Sequence, residues 1–265
     1  MALYCRDSSG VSAIGLEGRA ALRPPVFVAA SAQLQRESIV LAGPEGRHAA
    51  TVRRLSAGER ADVSDGAGAV AECVVTTVTA GVVELRVLAR HDEPPPEPRI
   101  VIVQAIPKGD RAELAVELMT EVGADVVVPW QAERCVAQWR ADRAARALER
   151  WRRAAREAAK QSRRRRFPEV TGPAALPEVA GLARAAGLAI ILDPEAPTAL
   201  QRLPLPARGD IVVIVGPEGG VSATESTELA DAGAVTARAG PTILRTSTAG
   251  AVATAILLAG CGRWD

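Results

Sequence analysis

The stretch that most constrains this chain is Asp210 to Gly233, DIVVIVGPEGGVSATESTELADAG, where an apolar run passes directly into a glycine loop and a helix start. Ile211 to Val215 is β-branched throughout, too short for a helix and without alternation, as expected of a central parallel strand buried on both faces. Gly216, Gly219 and Gly220 open backbone conformations closed to other residues and leave room for a ligand against the main chain. Ser222 with Glu225 after it forms a capping box, so a helix begins there with its first amides facing back toward the loop. The loop therefore sits at the carboxyl end of a strand, where open α/β sheets bind ligands.

A second loop of the same kind follows, GPTILRTSTAG, leading from Gly240 into an Ala-rich helix. Neither loop has the spacing of GxGxxG or GxxxxGK[ST], no Lys stands in the first, and Glu218 puts negative charge where a phosphate would lie. One such loop alone is matched by a tight turn holding nothing. Two polar, backbone-exposing loops suit a neutral or zwitterionic ligand carrying an adenosine better than a triphosphate.

Punctuation divides the rest. Residues 1–23 lack periodicity and read as a disordered tail or the product of a start assigned too early. Residues 24–90 show short strands, Glu72 to Val78 and Val82 to Leu88 among them, separated by glycine turns, the pattern of a small β-barrel. HDEPPPEP, residues 91–98, is a stiff linker. Residues 99–265 then alternate: strand Arg99 to Ile106, helix Asp110 to Val122, strand Asp125 to Pro129, helix Ala141 to Ser162, helix Pro177 to Ala186, strands Leu188 to Leu192 and Ile211 to Val215. That order predicts an α/β domain with a parallel sheet and helices on both faces.

The long helix carries the charge. Ala144, Leu148, Trp151, Ala155 and Ala158 mark an apolar stripe, and around it lie Arg143, Arg146, Arg150, Arg152, Arg153, Arg156 and Lys160, ending in Arg163 to Arg166. A charge run is more often a solvated helix face, but only Asp142, Glu149 and Glu157 oppose this one, so binding to a phosphate backbone is the better reading. Arg47, Arg53, Arg54 and Arg60 form a second basic group in the small domain. Aromatics are 3% of the chain, so shape and phosphate contacts should outweigh base stacking. Cys5, Cys73, Cys135 and Cys261 have no CxxC spacing and there are only two histidines, so neither a metal site nor a disulfide frame is expected. His48 reads as structural and His91 as exposed. No apolar run reaches membrane-spanning length and residues 1–22 lack a signal-peptide core, so the chain is expected to be cytoplasmic.

VGPEGGVSATE followed by GPTILRTSTA resembles the C-terminal signature of the SPOUT-class RNA methyltransferases, and within them the ribosomal RNA small subunit methyltransferase E family. KGDRAELAVELMTEVGADVVVPWQAERCV from Lys108, RWRRAAREAAKQSRRRRFP from Arg150 and ILDPEA from Ile191 match in the same order, and RHAATVRRLSAGERADVSDGAG resembles that family's small barrel. The resemblance implies a PUA-like β-barrel before a SPOUT-type α/β domain with a deep trefoil knot, a homodimer without metal or membrane contact, and methyl transfer from S-adenosylmethionine to N3 of a uridine in 16S ribosomal RNA of an assembled or nearly assembled small subunit.

Residue by residue, it places the cofactor at Leu192, Pro194, Gly216, Glu218, Gly219, Gly220, Ile243, Leu244, Arg245 and Thr248. Uracil N3 keeps its proton above neutral pH, so the acceptor needs a base or a cation that stabilises its anion. Arg164 and Arg134 match motif arginines expected near the acceptor, with Glu121 or Glu157 orienting them; a helix-surface ion pair is the competing reading of each carboxylate. RNA contacts are expected from Arg47, Arg53, Arg54, Lys108, Arg150, Arg153, Gln161, Arg163, Arg165 and Arg166. Thr242 and Ser247 stand where many relatives carry an arginine and a glutamate. Methylation of a ribose hydroxyl or a transfer RNA base, or RNA binding without turnover, remains an alternative.

Overall fold

The computed structural model describes residues 23–109, 111–139 and 141–264. Apart from Arg23, the expected tail lies outside the described residues.

The first unit comprises β1 (Val26–Val28), α1 (Ser31–Leu34), β2 (Ser38–Leu41), α2 (Gly43–Arg47) running on as a π-turn His48–Val52, β3 (Arg60–Ser64), β4 (Ala69–Thr79) and β5 (Val82–Asp92). They form a five-stranded sheet in the order β1-β3-β4-β5-β2, antiparallel except where β1 lies parallel to β3. Phe27, Leu34, Ile39, Val63, Cys73 and Leu85 fill its core. The β4–β5 hairpin turns at Gly81, whose φ of +79° favours a residue without Cβ. β5 continues through Asp92, and His91 lies opposite Val70 as part of the hairpin.

The second unit comprises β6 (Arg99–Ala105), α3 (Arg111–Val122), β7 (Val126–Trp130), α4 (Ala141–Gln161), β8 (Glu169–Val170), α5 (Leu176–Ala185), β9 (Leu188–Leu192), β10 (Asp210–Val215), α6 (Ala223–Asp231), β11 (Val235–Ala237) and α7 (Thr246–Gly260). Its six strands are all parallel, in the order β11-β9-β10-β6-β7-β8. β10 is buried along Ile211 to Val215 between two neighbours, as its unbroken β-branched run predicts. α3, α4 and α7 share one core with side chains of β6 and β10, while α5 and α6 share the other. The chain steps outward from β6 through β7 and β8, then crosses back to build β9, β10 and β11 on the other side. The switch point is the β6/β10 boundary, where open sheets leave a crevice.

α4 follows its predicted stripe. Trp151, Ala155 and Ala158 are buried, and Trp151 meets Trp139 edge to face with ring centroids 5.2 Å apart. β8 and β11, of two and three residues, are too short to carry a periodic signal of their own.

Candidate active site

The Ser222 hydroxyl accepts from the Glu225 amide, and the Glu225 carboxylate accepts from the Ser222 amide at 2.9 Å, so the capping box forms as the spacing predicts. Glu225 is 3% exposed, and its second oxygen accepts from the Glu133 amide at 2.7 Å, tying the β7–α4 connection to this loop. The first glycine loop is held from three more sides. The Lys108 amide donates to Glu218 at 3.2 Å, the Arg134 guanidinium donates to the Gly219 carbonyl at 3.0 Å, and the Thr246 hydroxyl donates to the Gly216 carbonyl at 3.2 Å. Gly220 takes φ +72° and closes a turn onto the Pro217 carbonyl.

Between this loop and the segment leading into α7 lies a cavity of about 360 Å³, within the range of small-molecule sites. Leu192 and Pro194 from the end of β9, Val215 to Glu218, Gly220 and Val221 from the first loop, and Ala239, Gly240 and Thr242 to Ser247 from the last enclose it. Of the ten residues assigned to the cofactor, eight line it: Leu192, Pro194, Gly216, Glu218, Gly220, Ile243, Leu244 and Arg245. Gly219 stands behind the wall on Arg134, and the Thr248 hydroxyl donates to the Arg245 carbonyl at the start of α7. The structure adds Asp193, Ser247 and Arg111 to the lining. Asp193 and Ser247 adjoin predicted residues, so contiguity was the available signal; Arg111 enters from α3, inside the run from Lys108 that carries part of the resemblance.

The site matches a zwitterion bearing an adenosine and a sulfonium. Its walls are mostly apolar, with Asp193 and Glu218 as carboxylates and Arg111 and Arg245 as guanidiniums. No side chain caps α7, and the Thr248 amide already donates to the Arg245 carbonyl at 2.9 Å, so the amides of Thr246 and Ser247 are the ones available as donors. A Cβ on Gly216 would stand 2.9 Å from Val221, so the loop takes its shape only with glycine there.

The four residues assigned to catalysis do not converge within the chain. Arg134 adjoins the cofactor loop. α3 runs from the carboxyl edge of the sheet to its amino edge, so Glu121 in its last turn lies at the end opposite the cavity. Arg164 lies there too. It donates to the carbonyls of Thr120 and Ala124, both at 2.8 Å, and to that of Arg166 at 3.1 Å, with Asp125 at 3.8 Å. Burial pushes its pKa down to about 10, with Asp125 opposing the shift. Glu157 is a surface carboxylate 3.4 Å from Lys160, the ion pair weighed against a catalytic role.

The basic run after α4 is corrected as well. Arg165 and Arg166 are not a solvated RNA face, because they join the two units. Arg165 is 14% exposed and contacts Asp62 at 2.7 Å, Glu72 at 3.0 Å and Glu93 at 3.6 Å. Arg166 donates to the Glu93 carbonyl at 2.5 Å, and Arg163 donates to the Arg23 carbonyl. Lys160 joins in from α4, 8% exposed and 2.7 Å from Glu45. Burying charge is tolerable here because each cation meets a carboxylate or carbonyl of the other unit.

Arg47, Arg53, Arg54, Lys108, Arg153 and Gln161 are exposed, and Arg150 is exposed beside Glu113 at 2.7 Å. Gln161 and Arg53 border one small cleft with His48 between α4 and the first unit. Among the described residues no group of His, Cys, Asp and Glu could hold a metal, and no helix is long and apolar enough to cross a membrane.

A parallel sheet with two glycine loops at its crevice, joined to a small mixed sheet, is the architecture of an RNA methyltransferase. A family model described as an RNA methyltransferase domain matches residues 94–258, and one described as an RNA methyltransferase PUA domain matches residues 41–88. The chain belongs to the ribosomal RNA small subunit methyltransferase E family. It is 46% identical to the Mycobacterium bovis member over 85% of this chain and 88% of that one, and 29% identical to the Bacillus subtilis member over 79% and 85%. Among solved structures it is similar to the Neisseria gonorrhoeae member bound to S-adenosylmethionine, with a TM-score of 0.76 and 26% identity over 89% of this chain and 98% of that one.

Proposed function

We propose that this protein transfers the methyl group of S-adenosylmethionine to N3 of a uridine in 16S ribosomal RNA of the small subunit, in the cytoplasm and as a homodimer. The observation that carries this reading is the cavity at the carboxyl ends of β9 and β10, walled by both glycine loops, in a chain 46% identical to a ribosomal RNA small subunit methyltransferase E. Leu192, Pro194, Ile243 and Leu244 would pack against the adenosine, while the loop backbone and the first turn of α7 would take its polar groups. The bound cofactor supplies an activated methyl with a neutral thioether as leaving group. What remains for the chain is in-line placement of the acceptor and stabilisation of the charge that develops on it.

The exposed arginines of the PUA-like unit and of α4 would hold the RNA backbone, with the joint at Arg165 setting the distance between them. The first unit, which extends through β5 to Asp92, and residues 99–265 then act as RNA-binding and catalytic domains linked by 93–98. Ile243, 85% exposed at the mouth of the cavity, supports a partner subunit lying over that end. The reading includes the deep trefoil knot that the resemblance implies.

The test is to map methylated uridines in small-subunit RNA from cells with and without the gene. One N3-methyluridine should vanish with the gene and return with the protein; persistence of every one sinks the assignment. Light scattering should return twice the monomer mass.

A further inference from the structure

We propose that Arg111 is a catalytic residue: its guanidinium contacts the acceptor uracil and stabilises the anion formed as N3 loses its proton. This rests on the function proposed above. Arg111 is the first residue of α3, at the carboxyl edge of the sheet, and it lines the cavity beside the first glycine loop. It is exposed at the rim, and no hydrogen bond or ion pair occupies its side chain among the described residues. Its position is nevertheless held, because the Lys108 amide just before α3 is bonded to Glu218 across the loop.

The other candidate cations are less suited. Arg164 is committed to backbone carbonyls at the far edge of the sheet, and Arg134 donates to Gly219 from outside the lining. Thr242 and Ser247 bring no charge to the cavity, which leaves Arg111 and Arg245 as its guanidiniums. Arg245 is the N-cap residue of α7, where its guanidinium and the amides of Thr246 and Ser247 together would hold the carboxylate of the methionine end. Arg111 therefore remains for the acceptor. In the step it assists, N3 gives its proton to solvent and uses that electron pair to form the N–CH₃ bond. The donor's C–S bond breaks with its electrons going to sulfur. The uracil charge that exists only in between is spread over O2 and O4, and the guanidinium donates to one of these oxygens from the side away from N3, leaving the in-line path of the methyl open.

The full-length protein and its Arg111→Gln and Arg111→Lys variants are assayed on small subunits lacking the modification. S-adenosylmethionine affinity is measured separately by calorimetry. We expect kcat for Arg111→Gln to fall about 100-fold near neutral pH, with cofactor affinity within about twofold of wild type. Its deficit should narrow as pH rises, since alkali supplies the uracil anion that the guanidinium no longer stabilises, and Arg111→Lys should recover part of the rate. A proportionate loss of cofactor affinity would instead make Arg111 a carboxylate ligand. A rise confined to KM for the subunit would make it a phosphate contact, and an unchanged pH profile would make it structural; each overturns the proposal. Absence of N3-methyluridine from the wild-type reaction is a separate result, which removes the function and this role together.

Discussion

Single residues decide whether the site can exist. Gly216 has space for a hydrogen and nothing larger, since a Cβ would press on Val221 at 2.9 Å from its side chain and 3.2 Å from its amide. Gly216→Ala should therefore shift the loop at a cost of about 1–3 kcal/mol and weaken S-adenosylmethionine binding roughly tenfold or more, read by calorimetry. Charge is set with comparable care at the joint between domains. The Arg165 hydrogen bond holds Glu72 below its usual 4.5, whereas burial raises Asp62 above its usual 3.8 with Arg165 only partly opposing. The signs are opposite. Glu72 contributes stability present above pH 4.5 and lost as pH falls through its lowered value; Asp62 contributes stability present below pH 3.8 and lost as pH rises through its raised value. In acid titrations followed by thermal unfolding, Glu72→Gln should flatten the loss of stability below pH 4.5. Asp62→Asn should steepen the loss on acidification through the region just above pH 3.8.

At the scale of elements, α7 joins the cavity to the core. Its first turn lines the site, and its middle lies close against β6 and α3 because Gly250 has no side chain. A Cβ there would come within 2.6 Å of Met119 and 3.2 Å of Ile102. The buried Gln104 amide on β6 donates to the Thr246 carbonyl at 3.3 Å and to that of Ala105 at 3.0 Å, which fixes the helix start over the sheet. Gly250→Val should lift the helix, lowering stability by about 1–3 kcal/mol and weakening cofactor binding together, measured as melting temperature and calorimetric affinity. A variant that lost stability yet kept its affinity would show that the helix start is positioned by the loops alone. Arg263, just past α7, clamps Asp125 at 2.6 and 3.1 Å, and Asp125 also accepts from the Ile100 amide at 2.8 Å. The end of the chain is thus tied to the amino edge of the sheet, beside Arg164.

For the whole molecule the question is how the PUA-like domain is held at a fixed distance from the cavity. Arg165, Arg166 and Lys160 do so by meeting carboxylates and carbonyls of the first domain. Arg165→Ala would leave Asp62, 1% exposed, without its cation, at a cost on the order of 3 kcal/mol. Calorimetric unfolding should then begin at a lower temperature. KM for the small subunit should rise while cofactor affinity holds, and a fall in cofactor affinity alone would contradict a role in spacing the domains. Much of this molecule was legible in its sequence, namely the buried strand Ile211–Val215, the Ser222–Glu225 cap and the apolar stripe through Trp151, while the resemblance supplied the ten cofactor candidates, eight of which line one cavity. Each is a local matter, settled by backbone propensity, by periodicity, or by loops whose neighbours in sequence are also their neighbours in space. The arginine run read as an RNA surface because composition records charge but not the partner that neutralises it. Asp62 and Glu72 lie some hundred positions from Arg165, with contact separations of 103 and 93 residues. Only the folded chain decided which arginines are neutralised, by setting the PUA-like domain against the end of α4, and brought Arg111 at the start of α3 to the cavity.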